Sequence, residues 1–168
     1  WHPECPARLQ AIDDQLIASG LATLLDFRDA PLAPVEALAL VHTDEAIARV
    51  RDHLPPAGEY FPIDADTLLN EYSWQAARRA AGAAIAATDA VMGGEADNAF
   101  CAIRPPGHHA TPHTPMGFCL FNNVAIAATH ALQTHGLRRV AIIDFDVHHG
   151  NGTEEAFSGD PRVLMASF

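Results

Sequence analysis

The sequence predicts an α/β fold of three layers, in which helices cover both faces of a parallel, doubly wound sheet. Three observations predict this class. Apolar runs rich in β-branched residues alternate with segments of helical spacing, the runs are far too short to span a bilayer, and polar clusters follow directly after two of them. Strands that alternate with helices pair in parallel through crossover connections. With 168 residues, the chain is long enough for one domain with a sizeable core.

The first third of the chain predicts mainly helix. Apolar residues recur at helical spacing from Pro6 to Ser19, and the glycine that follows is a common helix end. A short strand is expected at Leu24–Phe27. Thr43 is a typical N-cap for a helix that ends near Pro55. The segment 55–66 is expected to be a loop.

The remaining elements alternate between helix and strand. Long alanine-rich spacing favours helix, and short β-branched runs bounded by turn residues favour strand. In chain order we expect helix 71–92, strand 98–103, a loop to 121, helix 123–135, strand 139–145, helix 152–157, a turn at 158–161 and strand 163–167.

The most informative polar cluster follows the strand expected at 139–145. Alternate side chains of a strand point the same way, so Asp144, Asp146 and His148 should leave the strand end on one side. Two carboxylates and an imidazole packed together are costly to desolvate without a cation. Aspartate and histidine suit zinc, so this strand end predicts a metal site rather than an Asp that only caps the next helix.

A second cluster follows the strand expected at 98–103. His108 and His109 come after Pro105-Pro106-Gly107, which stiffens the turn. Seven of the ten histidines lie between His108 and His149. Both clusters follow strand carboxyl ends, where open α/β sheets place their sites, so we expect them to form one site.

Composition narrows the class of partner and the compartment. The net charge of −11 disfavours binding to nucleic acid, and no segment is long or apolar enough for a membrane span. The three cysteines are isolated, which disfavours a disulfide framework and favours a reducing, cytoplasmic location. The absence of lysine, together with abundant alanine, hints at a bacterial source. Oligomerisation is left open, a homo-oligomer included.

Several motifs in this chain resemble the histone deacetylase superfamily, which has the arginase–deacetylase fold. They are HPECPARL from His2, VHTDEAI from Val41, DADT from Asp64, RPPGHHA from Arg104, GFCLFNNVAIAA from Gly117 and IIDFDVHHGNGT from Ile142. They occur along the chain in the same order as in the family, and their residues most resemble those of the class II and bacterial branch. The resemblance implies a zinc-dependent amidohydrolase that removes an acetyl group from acetyl-lysine or an acetylpolyamine.

The resemblance also implies roles for individual residues. His109 matches the general base and acid, and His108 its electrostatic companion. Asp144 matches the carboxylate paired with His108, Asn151 the residue that orients His109, and Asp146 and His148 two of three zinc ligands. The remaining matches are Gly117 and Phe118 in the acyl-lysine channel, Asp66 at its rim, Arg8 in an internal cavity, and Asp144, Asp146, His148 and Ser167 around a buried potassium ion.

Parts of the family pattern have no match in these residues. The third zinc ligand, the oxyanion-stabilising tyrosine and the second channel aromatic are expected farther downstream. The chain therefore looks like the N-terminal half of a deacetylase catalytic domain, residues 1–168, truncated at both ends and inactive alone. A truncated homologue that binds a metal or partner without catalysis is the alternative. An arginase-like dimanganese ureohydrolase is disfavoured by the RPPGHHA and HHGNGT wording.

Overall fold

The structure, a computed structural model, describes residues 4–168, so the start of the HPECPARL segment lies outside the described residues. A 3-10 turn at Leu21–Leu24 accompanies ten helices and strands in this range. In chain order these are α1 (Ala7–Ala18), α2 (Val35–Leu38), α3 (Asp44–Arg51), β1 (Phe61–Pro62), β2 (Leu68–Leu69), α4 (Ser73–Met92), α5 (Asn123–Gln133), β3 (Val140–Asp144), α6 (Asn151–Phe157) and β4 (Val163–Ser167).

The parallel pair β3 and β4 carries the predicted strand-end cluster. Val140 pairs with Val163 and Asp144 with Ser167, and α6 forms the crossover between the two strands. This confirms the predicted parallel β–α–β unit. Because the strands are parallel, their carboxyl ends meet at one edge, where Asp144 and Ser167 lie side by side. The exposed Ile143 and Leu164 leave one face of the pair uncovered in the described part of the chain.

The core lies between the helices and the site loops. The alanine-rich α4 packs against α5, since small side chains let two helices approach closely. Phe121, Leu38 and Leu69 are fully buried there. Burial of each such side chain stabilises the fold by roughly 1.5–3 kcal/mol relative to exposure.

Side-chain caps fix the start of two helices. The Thr43 side chain accepts a hydrogen bond from the Ala46 amide, which confirms the predicted cap of α3. The Asn122 side chain does the same for α5 by accepting from the Ala125 amide. The first backbone N–H groups of a helix have no acceptor within the helix. Because each cap accepts a hydrogen bond from one of them, the caps help to set where each helix begins.

Four expectations about secondary structure were wrong. Segment 98–103 is not a strand, because it has no pairing partner within residues 4–168. Leu24–Phe27 is not a strand either; Leu24 ends the 3-10 turn. The expected loop 55–66 contains β1, which pairs antiparallel with β2. The helix after Thr43 ends at Arg51 rather than near Pro55.

Within residues 4–168, no helix is both long enough and apolar enough to cross a bilayer.

Candidate active site

The two predicted polar clusters meet beyond the carboxyl end of β3. The ring centroids of His108 and His109 lie 4.1 Å apart, and those of His109 and His148 lie 5.8 Å apart. One cluster comes from the loop after Arg104 and the other from the loop after β3, so the fold brings together residues about forty positions apart. The two clusters therefore lie together as expected, and their role as one site remains a prediction.

His108 is held by a carboxylate at the strand end. Its Nδ1 lies 2.9 Å from Asp144 Oδ2, and both side chains are mostly buried. The Asp144 carboxylate passes close to the backbone of Gly150. A Cβ at that position would collide with the same Oδ2, so glycine leaves the room that this contact needs. The carboxylate accepts the hydrogen on Nδ1 of His108, which fixes the tautomer and the orientation of the ring.

His109 is held by an amide instead of a carboxylate. Its Nδ1 lies 2.7 Å from Asn151 Oδ1, at the start of α6. Asn151 also donates from Nδ2 to Met116 Sδ at 3.6 Å, which directs Oδ1 toward the histidine. The Nδ1 atom of His109 is therefore the donor, and its Nε2 is left as the atom that can accept a proton.

Asp146 and His148 lie beside the histidine pair and are partly open to solvent. Asp146 Oδ1 accepts from the His148 backbone amide at 2.8 Å and lies 3.2 Å from His148 Nδ1. The amide hydrogen bond, helped by the nearby His108 charge, holds the Asp146 pKa below its ordinary value despite partial burial.

The donor set of Asp146 and His148 fits a zinc ion. Zinc takes carboxylate oxygen and imidazole nitrogen at about 2.0–2.2 Å, which separates neighbouring tetrahedral ligands by roughly 3.3 Å. The observed Oδ1–Nδ1 separation of 3.2 Å is close to that value. These residues supply two ligands, whereas zinc sites normally use three or four from the protein.

Gly117 and Phe118 form a tight turn against His109. Both have positive φ, 57° and 66°, and the amides and carbonyls of Met116 and Cys119 pair across them. Positive φ at both central positions defines a type I′ turn, which is unfavourable for phenylalanine. A Cβ on Gly117 would lie 2.6 Å from His109 Cδ2, so only glycine permits this approach.

Thr67 connects the turn to the loop that carries Asp66. Its Oγ1 accepts from the Phe118 amide at 3.1 Å and lies 3.2 Å from Asp66 Oδ1. Thr67 is fully buried, so these bonds are protected from water. Sequence reasoning did not single out Thr67, although it lies within the DADT segment.

An open cleft of about 410 Å³ connects these groups. It is lined by Asp64, Ala65, Asp66, His109, Met116, Gly117 and Asn151. Partial burial opposes charge on Asp64, but hydrogen bonds from the Asp66 and Thr67 amides outweigh it and lower the Asp64 pKa. Asp66 and Gly117, which were predicted at the rim and in the channel, thus border the same cleft as His109, and their roles there remain predictions.

Arg8 contacts the backbone just before the loop that carries the two histidines. It forms an ion pair with Glu4, which also pairs with Arg104, and donates from Nη2 to the Ile103 carbonyl at 2.6 Å. Arg8 also lines a separate, largely apolar cleft of about 600 Å³ beside Phe100. Its expected place in an internal cavity remains a prediction.

The predicted potassium residues lie together, but one contact was not foreseen. Ser167 is paired with Asp144 in the sheet, and its Oγ lies 3.0 Å from Nδ1 of His149. The other ring nitrogen of His149 lies 3.0 Å from Glu154 of α6. His149 therefore ties the end of β4 to α6, and the potassium site remains a prediction.

A buried histidine beneath the site also escaped sequence reasoning. His42 Nδ1 contacts the Thr111 carbonyl at 3.0 Å, and its Nε2 accepts from the Asn122 amide at 2.9 Å. Burial lowers its pKa from 6.5 to about 4, although the carbonyl contact opposes this. The VHTD motif that begins at Val41 contains this histidine and could have pointed to it. A neutral His42 anchors the loop that carries His109 and Gly117.

Comparison with known proteins identifies the family. The family model for the histone deacetylase domain matches residues 2–168. This chain belongs to the histone deacetylase family. The crystal structure of the HDA15 HD domain superposes with a TM-score of 0.90 at 40% identity, over 99% of this chain and 46% of that one. The fold is therefore the α/β arginase–deacetylase fold that the motifs predicted.

Relatives of known name are spread over several kinds of organism. The histone deacetylase-like amidohydrolase of Pseudomonas aeruginosa is 43% identical, over 99% of this chain and 43% of its own length. Chloroplastic histone deacetylase 14 of Arabidopsis thaliana is 42% identical with the same coverage. Human polyamine deacetylase HDAC10 is 41% identical, over 99% of this chain and 26% of its own. The chain thus spans less than half the length of these relatives.

Proposed function

We propose that this chain supplies the histidine pair and two metal ligands of a zinc-dependent deacetylase site, which hydrolyses an N-acetyl amide on lysine or a polyamine. The observation that carries the proposal is the pairing of His108 with Asp144 and of His109 with Asn151, next to Asp146 and His148. Amidohydrolase and deacetylase relatives support the reaction class.

Asp146 and His148, with a further ligand, would hold the zinc ion. When bound, zinc supplies a Lewis acid that polarises an amide carbonyl and makes water a better nucleophile near neutral pH. The chain's own residues account for the remaining steps.

His109 Nε2 is the atom placed to move a proton. Asn151 occupies Nδ1 of this ring, so Nε2 can take a proton from the attacking water and pass it to the departing amine. His108 keeps its Nδ1 hydrogen on Asp144 and stabilises negative charge that develops beside it. A positioned proton-transfer group typically contributes about 10²–10⁴ in rate.

The cleft suits a narrow, uncharged acyl chain with a polar group at its mouth. Gly117 borders the path to His109, Phe118 follows it in the same turn, and Asp66 lines the rim. An acetylated amine has lost its charge, so it can pass between apolar walls, whereas a carboxylate at the rim can accept hydrogen bonds from amides of the substrate. Lysine and polyamine substrates both meet this description.

Two further properties belong to the same proposal. A potassium ion beside Asp144, Asp146, His148 and Ser167 would neutralise the carboxylates next to the histidine pair. The three cysteines, Cys5, Cys101 and Cys119, are free thiols, which suits a reducing compartment such as the cytoplasm. Burial raises the pKa of Cys119 to about 12, so its thiol stays protonated and unreactive.

The 168-residue chain by itself tests the ligand count. It should bind zinc weakly and show no turnover, because two ligands hold zinc poorly and an absent oxyanion donor costs about 10²–10³ in rate. Zinc titration calorimetry and a fluorogenic acetyl-lysine substrate measure both properties. The complete protein that the gene encodes, here called the encoded protein, should deacetylate the same substrate when assayed in the same way. Turnover by the 168 residues that a chelator abolishes would contradict the ligand count, and an inactive encoded protein would favour the non-catalytic alternative.

A further inference from the structure

Three side chains that do not line the cleft converge on one point between α4 and α5. Asp89 Oδ1 lies 2.6 Å from Nε2 of His130 and 2.7 Å from Nε2 of His135. The ligand atoms of all three residues lie within 4.8 Å of one another. We call Asp89, His130 and His135 the outer cluster.

The position of the outer cluster favours a cation. Asp89 lies in the last turn of α4, and His130 lies in the last turn of α5, so the carboxyl ends of the two helices meet there. The carbonyl groups at a helix carboxyl end carry partial negative charge. A carboxylate at that place adds to the negative charge, which a metal ion would offset.

We propose that the outer cluster is a second metal site, suited to zinc, that joins α4 to α5. Two imidazoles and one carboxylate form a donor set that zinc uses, and solvent can complete its four ligands. Tetrahedral zinc separates its ligands by roughly 3.3 Å, so the present contacts need to open only slightly. On binding, each Nε2 exchanges its hydrogen for the ion.

The surroundings of the cluster fit this role. The His130 and His135 side chains are only 15% and 23% exposed, while Asp89 is 49% exposed and leaves a path for the ion. The Thr134 hydroxyl lies 3.2 Å from Nδ1 of His130, where it can accept the hydrogen of a ring bound to metal through Nε2. Such a partner fixes the ring orientation of a metal ligand.

The test must separate this site from the one in the cleft. A reference chain carrying Asp146→Asn and His148→Gln removes the cleft ligands, and zinc titration calorimetry should then find one equivalent bound. Adding His135→Gln should weaken that binding at least tenfold, since outer partners of a metal alone often contribute 10–100-fold. Glutamine can still donate to Asp89, so a merely hydrogen-bonded link would survive the substitution.

A matched control and a second readout make the outcome decisive. Adding His53→Gln instead should leave zinc affinity within about twofold, because His53 lies outside the cluster, where it contacts the Arg49 carbonyl and the Phe61 ring. Zinc should raise the melting temperature of the reference chain but not of the His135→Gln chain. Cobalt(II) bound to the reference chain should give the strong visible absorption bands of four-coordinate cobalt. This measurement needs only the reference chain, so it does not depend on whether any cluster variant folds. Equal zinc binding with and without His135, or only the weak bands of hydrated cobalt, would overturn the proposal.

Discussion

The His108–His109 pair beside the cleft and the His130–His135 pair of the outer cluster each bring two rings close together, but the partners of their ring nitrogens differ. The ring centroids lie 4.1 Å and 5.4 Å apart, respectively. Beside the cleft, each Nδ1 has its own partner, a carboxylate for His108 and an amide for His109, so the two rings are fixed separately. In the outer cluster both Nε2 atoms face one carboxylate oxygen.

The difference shows that the partners of a histidine decide its chemistry. A ring whose Nδ1 is occupied by an amide or carboxylate keeps Nε2 for proton transfer. Two rings that converge on a shared oxygen place three ligand atoms around one point, where a cation can replace the hydrogens.

Loss of His109 should separate the two regions most sharply. In the encoded protein, His109→Ala should lower the deacetylation rate by about 10²–10⁴, the usual contribution of a positioned proton-transfer group, and leave zinc content unchanged. His135→Ala should leave the rate within about twofold but lower zinc content by one equivalent. Steady-state assays with an acetyl-lysine peptide and metal analysis measure both quantities.

The control for this pair is Asp146→Ala, which should lose both activity and the zinc of the cleft. If His109→Ala retained near wild-type turnover, the proton-transfer role would be wrong. If His135→Ala lost activity as severely as His109→Ala, the two regions could not be functionally distinct.

The sequence predicted one region and missed the other for a physical reason. Asp144, Asp146 and His148 follow one strand at a spacing of two, so the local pattern places them on one side. Asp89 on α4 and His135 just after α5 are 46 positions apart, and only the packing of α4 against α5 brings them together. The expected strand 98–103 failed similarly, since a strand exists only where a partner supplies hydrogen bonds.

Acid should destabilise the fold through His42, which anchors the loop that carries His109 and Gly117. The folded pKa of about 4 lies below the ordinary 6.5, so between these values the unfolded chain binds a proton that the folded chain does not. Stability is therefore complete above pH 6.5 and falls as the pH drops toward 4, by a total on the order of 3 kcal/mol. Urea unfolding of the 168-residue chain at several pH values measures this slope.

The His42→Gln variant isolates the contribution of His42. It should be less stable at neutral pH but should lose less stability on acidification, since the titrating ring is gone. His53→Gln, an exposed position, controls for the loss of any one histidine. An unchanged slope in His42→Gln would show that the buried ring does not govern the acid response.

Removing the charge of Asp144 should have a smaller effect than removing His109. Asp144→Asn keeps the shape of the contact with His108 but loses the carboxylate, and partners of this kind typically contribute 10–100-fold. We expect a rate loss of about that size in the encoded protein, with zinc affinity less affected than in Asp146→Asn. Asn151→Asp offers the reverse change at His109, and its pH–rate profile should differ from that of wild type if the amide sets the role of that ring.

The smallest expected effect compares two threonines, one in each region. Thr67→Val keeps the side-chain shape but removes the acceptor for the Phe118 amide, and an unmet buried donor costs about 1–2 kcal/mol. Because Phe118 has a positive φ that this bond helps to hold, the turn beside His109 should loosen, and KM should rise more than kcat falls. Thr134→Val, which removes the hydroxyl beside His130, should instead leave KM unchanged and weaken the zinc-dependent rise in melting temperature. The two substitutions delete the same atom from the same residue type. If both shifted KM equally, or neither affected its own region, the arrangement of partners would not determine what each histidine group does.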